Sequence, residues 1–114
     1  MNPRPASIPD WEEMTTVEGL PLVGGCGRAR VRLRTPNAFL LEVAYPDGVR
    51  SPEHTHRHDS YIYLLSGHLI GTVASDLAEL RPGDTLLHPA GVPHTVQAVG
   101  DSHWLEFKTA RQGP

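Results

Sequence analysis

Cysteine is almost missing from this chain: Cys26 is the only one in 114 residues. A lone thiol excludes an internal disulfide framework and a thiolate metal cluster. Long hydrophobic runs are missing too, so no segment reads as a membrane span, and the start has no charged stretch followed by an apolar one of the kind that directs secretion. Basic charge is not in surplus. Lys and Arg number 10 against 13 Asp and Glu, a net charge of −3 with histidine neutral, whereas a nucleic-acid binder carries a basic excess. These absences point to a cytoplasmic protein with neither nucleic acid nor membrane as partner. The length fits a single domain over 1–114, too short for a second substrate domain.

What the chain has in quantity is glycine and proline, 11 of each, and histidine, 7 in all. The first two dictate frequent turns and few long helices. Residues 1–16 read as an N-terminal arm: Met1 to Pro9 carries three prolines, and Asp10 to Met14 is expected to form one helical turn capped by Asp10 or Ser7. Trp11 is expected to dock this arm on the barrel or on a partner subunit. From 28 to 109 the pattern has the period of a strand. Arg28, Arg30, Arg32 and Arg34 alternate with Ala29, Val31 and Leu33, which predicts four arginines on one strand face, read as a solvated outer face or a charged dimer edge. Phe39 to Tyr45, Tyr61 to Leu65, Leu69 to Val73, Thr85 to His88, Thr95 to Val99 and Trp104 to Thr109 are further strand-like runs. Gly or Pro stands in nearly every gap, as in a β-sandwich or barrel.

The chemistry concentrates at His54-Thr55-His56. Residues i and i+2 of a strand share a face and lie roughly 6.5–7 Å apart, so two imidazoles at that spacing can converge on one ion. His94 follows Pro89-Ala90-Gly91-Val92-Pro93, a loop whose prolines and glycine leave it little freedom. On the strand after the histidine pair, Ser60, Ile62 and Leu64 are predicted to face the pocket and Tyr61 and Tyr63 to face outward. Gln97 is a candidate hydrogen-bond donor behind the ligands. His68, His88 and His103 read as surface or hydrogen-bonding histidines, and Glu106 as a surface glutamate, although a buried Glu106 beside an ion would be a candidate base.

Two stretches then carry a resemblance. Gly48 to Gly67 reads as glycine, five residues, His54-X-His56, a short turn and a strand closed by glycine. Gly83 to Ala98 reads as glycine, five residues, Pro89-X-Gly91, two residues and His94. In that order they resemble the two signature motifs of the cupin superfamily. The resemblance implies an all-β fold, a small double-stranded β-helix or jelly-roll barrel, with one divalent metal held at its mouth by His54, His56 and His94. Such proteins usually carry a glutamate ligand seven residues before the closing glycine of the first motif. Here that residue is Ser60, and the asparagine that often ends the second motif is Ala98. His58, as a possible fourth ligand, or Asp59 is positioned in the turn to supply a substitute.

Three histidines without a carboxylate leave the charge of the ion uncancelled, which favours an anionic or chelating small-molecule ligand. All-nitrogen donors suit Fe, Zn, Ni or Cu over Mg or Ca, and three protein ligands leave positions open, as in catalytic sites. The leading expectation is a metal-dependent enzyme with Fe(II) dioxygenase-like chemistry on a chelating oxygenated substrate. The alternatives are a Lewis-acid isomerase or cyclase of sugar-uronate or polyketide type, and a non-catalytic small-ligand-binding or sensing module. A barrel this small with exposed edges is expected to pair as a homodimer.

Overall fold

Alternation does most of the folding work, and the computed structural model, which describes residue 5 and residues 7–110, shows its result. The strands are β1 (Glu12–Met14), β2 (Thr16–Val17), β3 (Leu20–Pro21), β4 (Gly27–Arg34), β5 (Ala38–Tyr45), β6 (Arg50–His54), β7 (Ser60–Ser66), β8 (Leu69–Val73), β9 (Asp76–Leu80), β10 (Thr85–His88), β11 (His94–Ala98) and β12 (Ser102–Thr109). They form a six-stranded sheet in the order β1-β4-β5-β12-β7-β10, a four-stranded sheet in the order β6-β11-β8-β9, and the separate hairpin β2-β3. Every pairing between these strands is antiparallel.

The inner faces of the two larger sheets meet in a core of Val43, Tyr45, Val49, Ile62, Leu64, Leu69, Leu80, Ala98 and Trp104. Along β7, Ser60, Ile62 and Leu64 are buried while Tyr61 and Tyr63 are exposed, the alternation a half-buried strand requires. Tyr45 packs edge-on against Trp104. Its ring also covers Gly27, where an added Cβ would come within 2.6 Å of it. This two-sheet architecture is the all-β jelly roll expected from the sequence. A row of apolar side chains, Tyr61, Tyr63, Leu87 and Phe107, stays exposed on the outer face of the larger sheet.

Two local expectations fail. Residues 10–14 do not make a helical turn: Glu12, Glu13 and Met14 pair with Ala29, Arg28 and Gly27. One isolated helical turn leaves its backbone groups without partners, whereas the β4 edge supplies them. Residues 1–4 and 6 of the expected arm lie outside the described residues.

The four arginines, too, do not share one face. A bulge between Val31 and Leu33 makes Arg32 the extra residue and reverses the parity beyond it. Leu33 therefore points outward at 55% exposure, and the Arg34 guanidinium sits over Phe39. Nor are the others merely solvated. Arg30 and Arg32 both donate to Glu42 Oε1 at 2.8 Å, and His103 Nε2 lies 2.5 Å from Glu42 Oε2. Trp11 closes the cluster, with the Arg30 guanidinium 3.9 Å from its ring centroid. The N-terminal segment is fastened to the sheet there.

Candidate metal centre

The site lies where one end of each sheet meets the other. His54 ends β6 and His94 begins β11, and the two are direct cross-strand partners. His56 follows two residues beyond His54, just past the strand. Gly91, with φ +75°, allows the turn in which Val92 N–H donates to the Pro89 carbonyl. Gly91 N–H also donates to the His56 carbonyl at 2.8 Å. The loop carrying His94 is thus tied to the backbone that carries His56. Asp59 latches the same region, accepting from Ala90 N–H at 2.8 Å while its own N–H donates to Thr109 Oγ1.

The three rings form a triangle, with centroids 4.7 Å apart for His54 and His56, 4.2 Å for His54 and His94, and 4.9 Å for His56 and His94. All three are buried, and one ligand atom from each falls within 4.8 Å of the others. Each ring has an oxygen behind its Nδ1: the Pro52 carbonyl at 2.7 Å for His54, Glu18 Oε1 at 2.7 Å for His56 and the Val92 carbonyl at 3.1 Å for His94. An Nδ1–H donating backward leaves the lone pair on Nε2, which is how metal-binding imidazoles are normally oriented. Burial, reinforced by neighbouring positive charge, holds His56 and His94 down to about 4, against the Glu18 and Val92 hydrogen bonds that favour protonation. At neutral pH both are unprotonated, as ligation requires. The donor set therefore fits a divalent transition ion. His54, His56 and His94 would hold it.

The cavity beside them measures about 40 Å³ and is walled by His88, Glu106 and Lys108 on the larger sheet and by Met14 and Val17 from the N-terminal segment. That is space for roughly three waters. Burial opposes ionisation of Glu106, but the Lys108 ammonium and the Trp104 indole N–H overcome it and hold the carboxyl down at about 2. The Lys108–Glu106 ion pair spans 3.0 Å, and the Trp104 Nε1 bond 3.1 Å. His88 stacks on His94 at 3.9 Å between centroids, and burial beside His94 keeps it neutral, down to about 3.

The family profile described as "Cupin domain" matches residues 41–107. This chain belongs to the cupin family. No curated protein matches it by sequence. Solved structures share the fold at low identity. A polyketide cyclase, RemF from Streptomyces resistomycificus, is 21% identical with a TM-score of 0.75, over 100% of this chain and 83% of that one. KdgF from a Halomonas species is 22% identical with a TM-score of 0.74, over 90% and 87%. A protein from Thermotoga maritima described as a predicted oxalate decarboxylase is 17% identical with a TM-score of 0.76, over 96% and 98%.

In this cupin the remaining sequence candidates fall in different places. His58 is buried and stacks on His56, but groups with Glu18 and His56 rather than with the three-histidine triangle. Asp59 serves as the loop latch. Ser60 is fully buried and faces inward between the cavity-lining His88 and Lys108, Ile62 and Leu64 pack into the core, and none of Ser60, Ile62 and Leu64 itself walls the cavity. Gln97 is three residues from His94, hence on the opposite strand face, where it borders an outer groove with Arg50 and Thr95. His88 and Glu106 are corrected from surface to cavity positions. Parity with the inward Leu86 pointed to His88. Residues 104–108 carry apolar side chains at both parities, so their pattern gave no direction for Glu106. Glu18 was missed altogether. Its place at φ +47° in a two-residue hairpin, before Gly19 at φ +77°, carries no sequence signature except the glycine.

Proposed function

We propose that this cupin is a metal-dependent enzyme acting on a small, chelating oxygenated molecule, with dioxygenase-like chemistry at a three-histidine Fe(II) centre. The observation that carries the reading is the set of three backward Nδ1 hydrogen bonds, which turns three Nε2 atoms toward one ion position with no carboxylate among them. A bound ion would supply a Lewis acid with positions open to substrate, and iron would add electrons for reaction with dioxygen. The chain's residues do the rest. His54, His56 and His94 orient the site, Met14 and Val17 limit water entry, and Glu106 and Lys108 place a fixed dipole against the substrate. The cavity of about 40 Å³ fits a ligand of a few non-hydrogen atoms rather than a polyketide. The exposed row of Tyr61, Tyr63, Leu87 and Phe107 is the surface on which the expected homodimer would form.

The Glu106–Lys108 pair favours one second reading, Lewis-acid isomerisation, because it sets a fixed pair of opposite charges beside the ion position, where charge would develop on a polarised carbonyl. Oxygen dependence separates the two. Protein loaded anaerobically with Fe(II) is mixed with short β-diketones, thiols and carboxylates, and oxygen uptake and product are followed. The proposal expects substrate-dependent oxygen consumption with iron and none with zinc. Turnover without oxygen on zinc or nickel would replace it with the isomerase reading, and binding without product on any metal would leave a sensing module.

A further inference from the structure

One rung of the larger sheet sets three polar side chains in a row, the outer two lining the cavity and the middle one, Ser60, buried between them. β7 lies between β12 and β10, and its Ser60 is paired with Lys108 on one side and with His88 on the other. All three are inward positions, since Trp104, Glu106 and Lys108 share one parity of β12, and His88 follows the inward Leu86 on β10. Lys108 and His88 both line the cavity. Ser60 Oγ and His88 Nε2 are buried and have no hydrogen-bond partner among the described residues.

Burying a hydroxyl and an imidazole nitrogen without partners costs folding free energy that an apolar pair in the same places would not. Side by side on one rung, with a lysine completing the row, two such groups are the mark of a place that a ligand's oxygen atoms complete. On the next rung down, Glu106, Ile62 and Leu86, the one polar side chain is Glu106, and it is paired with Lys108.

We propose that Lys108, Ser60 and His88 form the substrate-anchoring subsite of this cupin and select a small carboxylate. Ser60 Oγ–H and His88 Nε2–H donate to its oxygens, and the Lys108 ammonium supplies the opposite charge. The proposal rests on the three-histidine metal reading for its full affinity: the charges of the ion and of Lys108 exceed the single Glu106 carboxylate, so the cavity as a whole attracts an anion. The subsite explains why the position where cupins usually carry a ligating glutamate holds a serine. A glutamate there would occupy with its own carboxylate the place offered to the substrate's.

The test uses formate as probe and formamide as its neutral counterpart, titrated into zinc-loaded protein labelled with 15N-histidine. Formate is expected to shift the His88 Nε2 resonance saturably and formamide to bind far more weakly. His88→Phe and Ser60→Ala should each weaken formate roughly tenfold, the loss of one charge-assisted hydrogen bond, while zinc content stays at the wild-type value. Ser60→Ala removes a single buried atom, so it carries the test if His88→Phe does not fold. Wild-type formate affinity in folded Ser60→Ala, equal binding of formamide, or loss of zinc from either variant would overturn the subsite. If the wild type takes up no zinc, the metal reading fails by itself. The same titration on metal-free protein then decides the subsite alone, by whether the His88 signal moves with formate.

Discussion

An imidazole has two nitrogens, and whatever accepts from one of them decides what the other can do. At His54 and His94 the acceptor is a backbone carbonyl two residues earlier, so the local chain sets the tautomer. At His56 it is the Glu18 carboxylate, 38 residues away in sequence, and a carboxylate behind a ligating histidine raises its basicity. Glu18→Ala removes that support without touching a ligand, and the β2–β3 hairpin keeps Gly19 for its turn. Zinc affinity, measured by competition with a chromophoric chelator, is expected to fall roughly 10- to 100-fold with the fold intact. Unchanged affinity would show that the carboxylate does not tune the site. At this scale His54, His56 and His94 were legible because spacing and loop rigidity are local. Glu18 and Glu106 were not, because each reaches the site through strand pairing that no short motif encodes, and His88 was marked only by its parity with Leu86.

Among the elements, β4 carries the clearest lesson. Its Arg-X-Arg-X-Arg-X-Arg alternation is read correctly until the bulge at Arg32, which turns a uniform stripe into a clamp on Glu42 and joins β4, β5 and β12 beneath Trp11. The strand β9 is hidden for a related reason. The two-residue turn before it places Ala74 at φ +50° and Ser75 at φ +74°, conformations usually signalled by Asn or Gly. Leu77, 90% exposed, further blurs the alternation.

The clamp makes stability depend on pH. The Arg30 hydrogen bond, against burial and with help from Arg32 and His103, lowers the Glu42 carboxyl to about 2 from its ordinary 4.5. A carboxyl lowered on folding contributes stability that is complete above the unfolded value and is lost as pH falls through the folded one. Its contribution is at most about 3 kcal/mol. Urea unfolding should therefore show Glu42→Gln less stable than wild type at pH 6, with the gap reduced by more than half at about pH 3. A gap that is constant between these pH values would mean that Glu42 is not held ionised by the arginines.

At the scale of the whole molecule, the barrel exists to bring together the ends of strands distant in sequence. The strand rhythm and the two histidine-bearing motifs made the fold and its family readable, since both are periodic or contiguous. The cavity's opposite wall was unreadable, since it arises from the pairing of β12, β7 and β10 and from an N-terminal segment that folds into the structure instead of extending from it. The whole arrangement brings together three histidines, drawn from two motifs, that could hold one ion. Metal analysis of tag-free protein, by mass spectrometry after growth with iron, zinc, nickel or copper, tests that most directly. One first-row divalent ion per chain is expected in the wild type, lost in His54→Ala and in His94→Ala while the β-rich circular dichroism spectrum is retained. A wild type that takes up no such ion under any supplementation, or variants that hold it as tightly as the wild type, would contradict it.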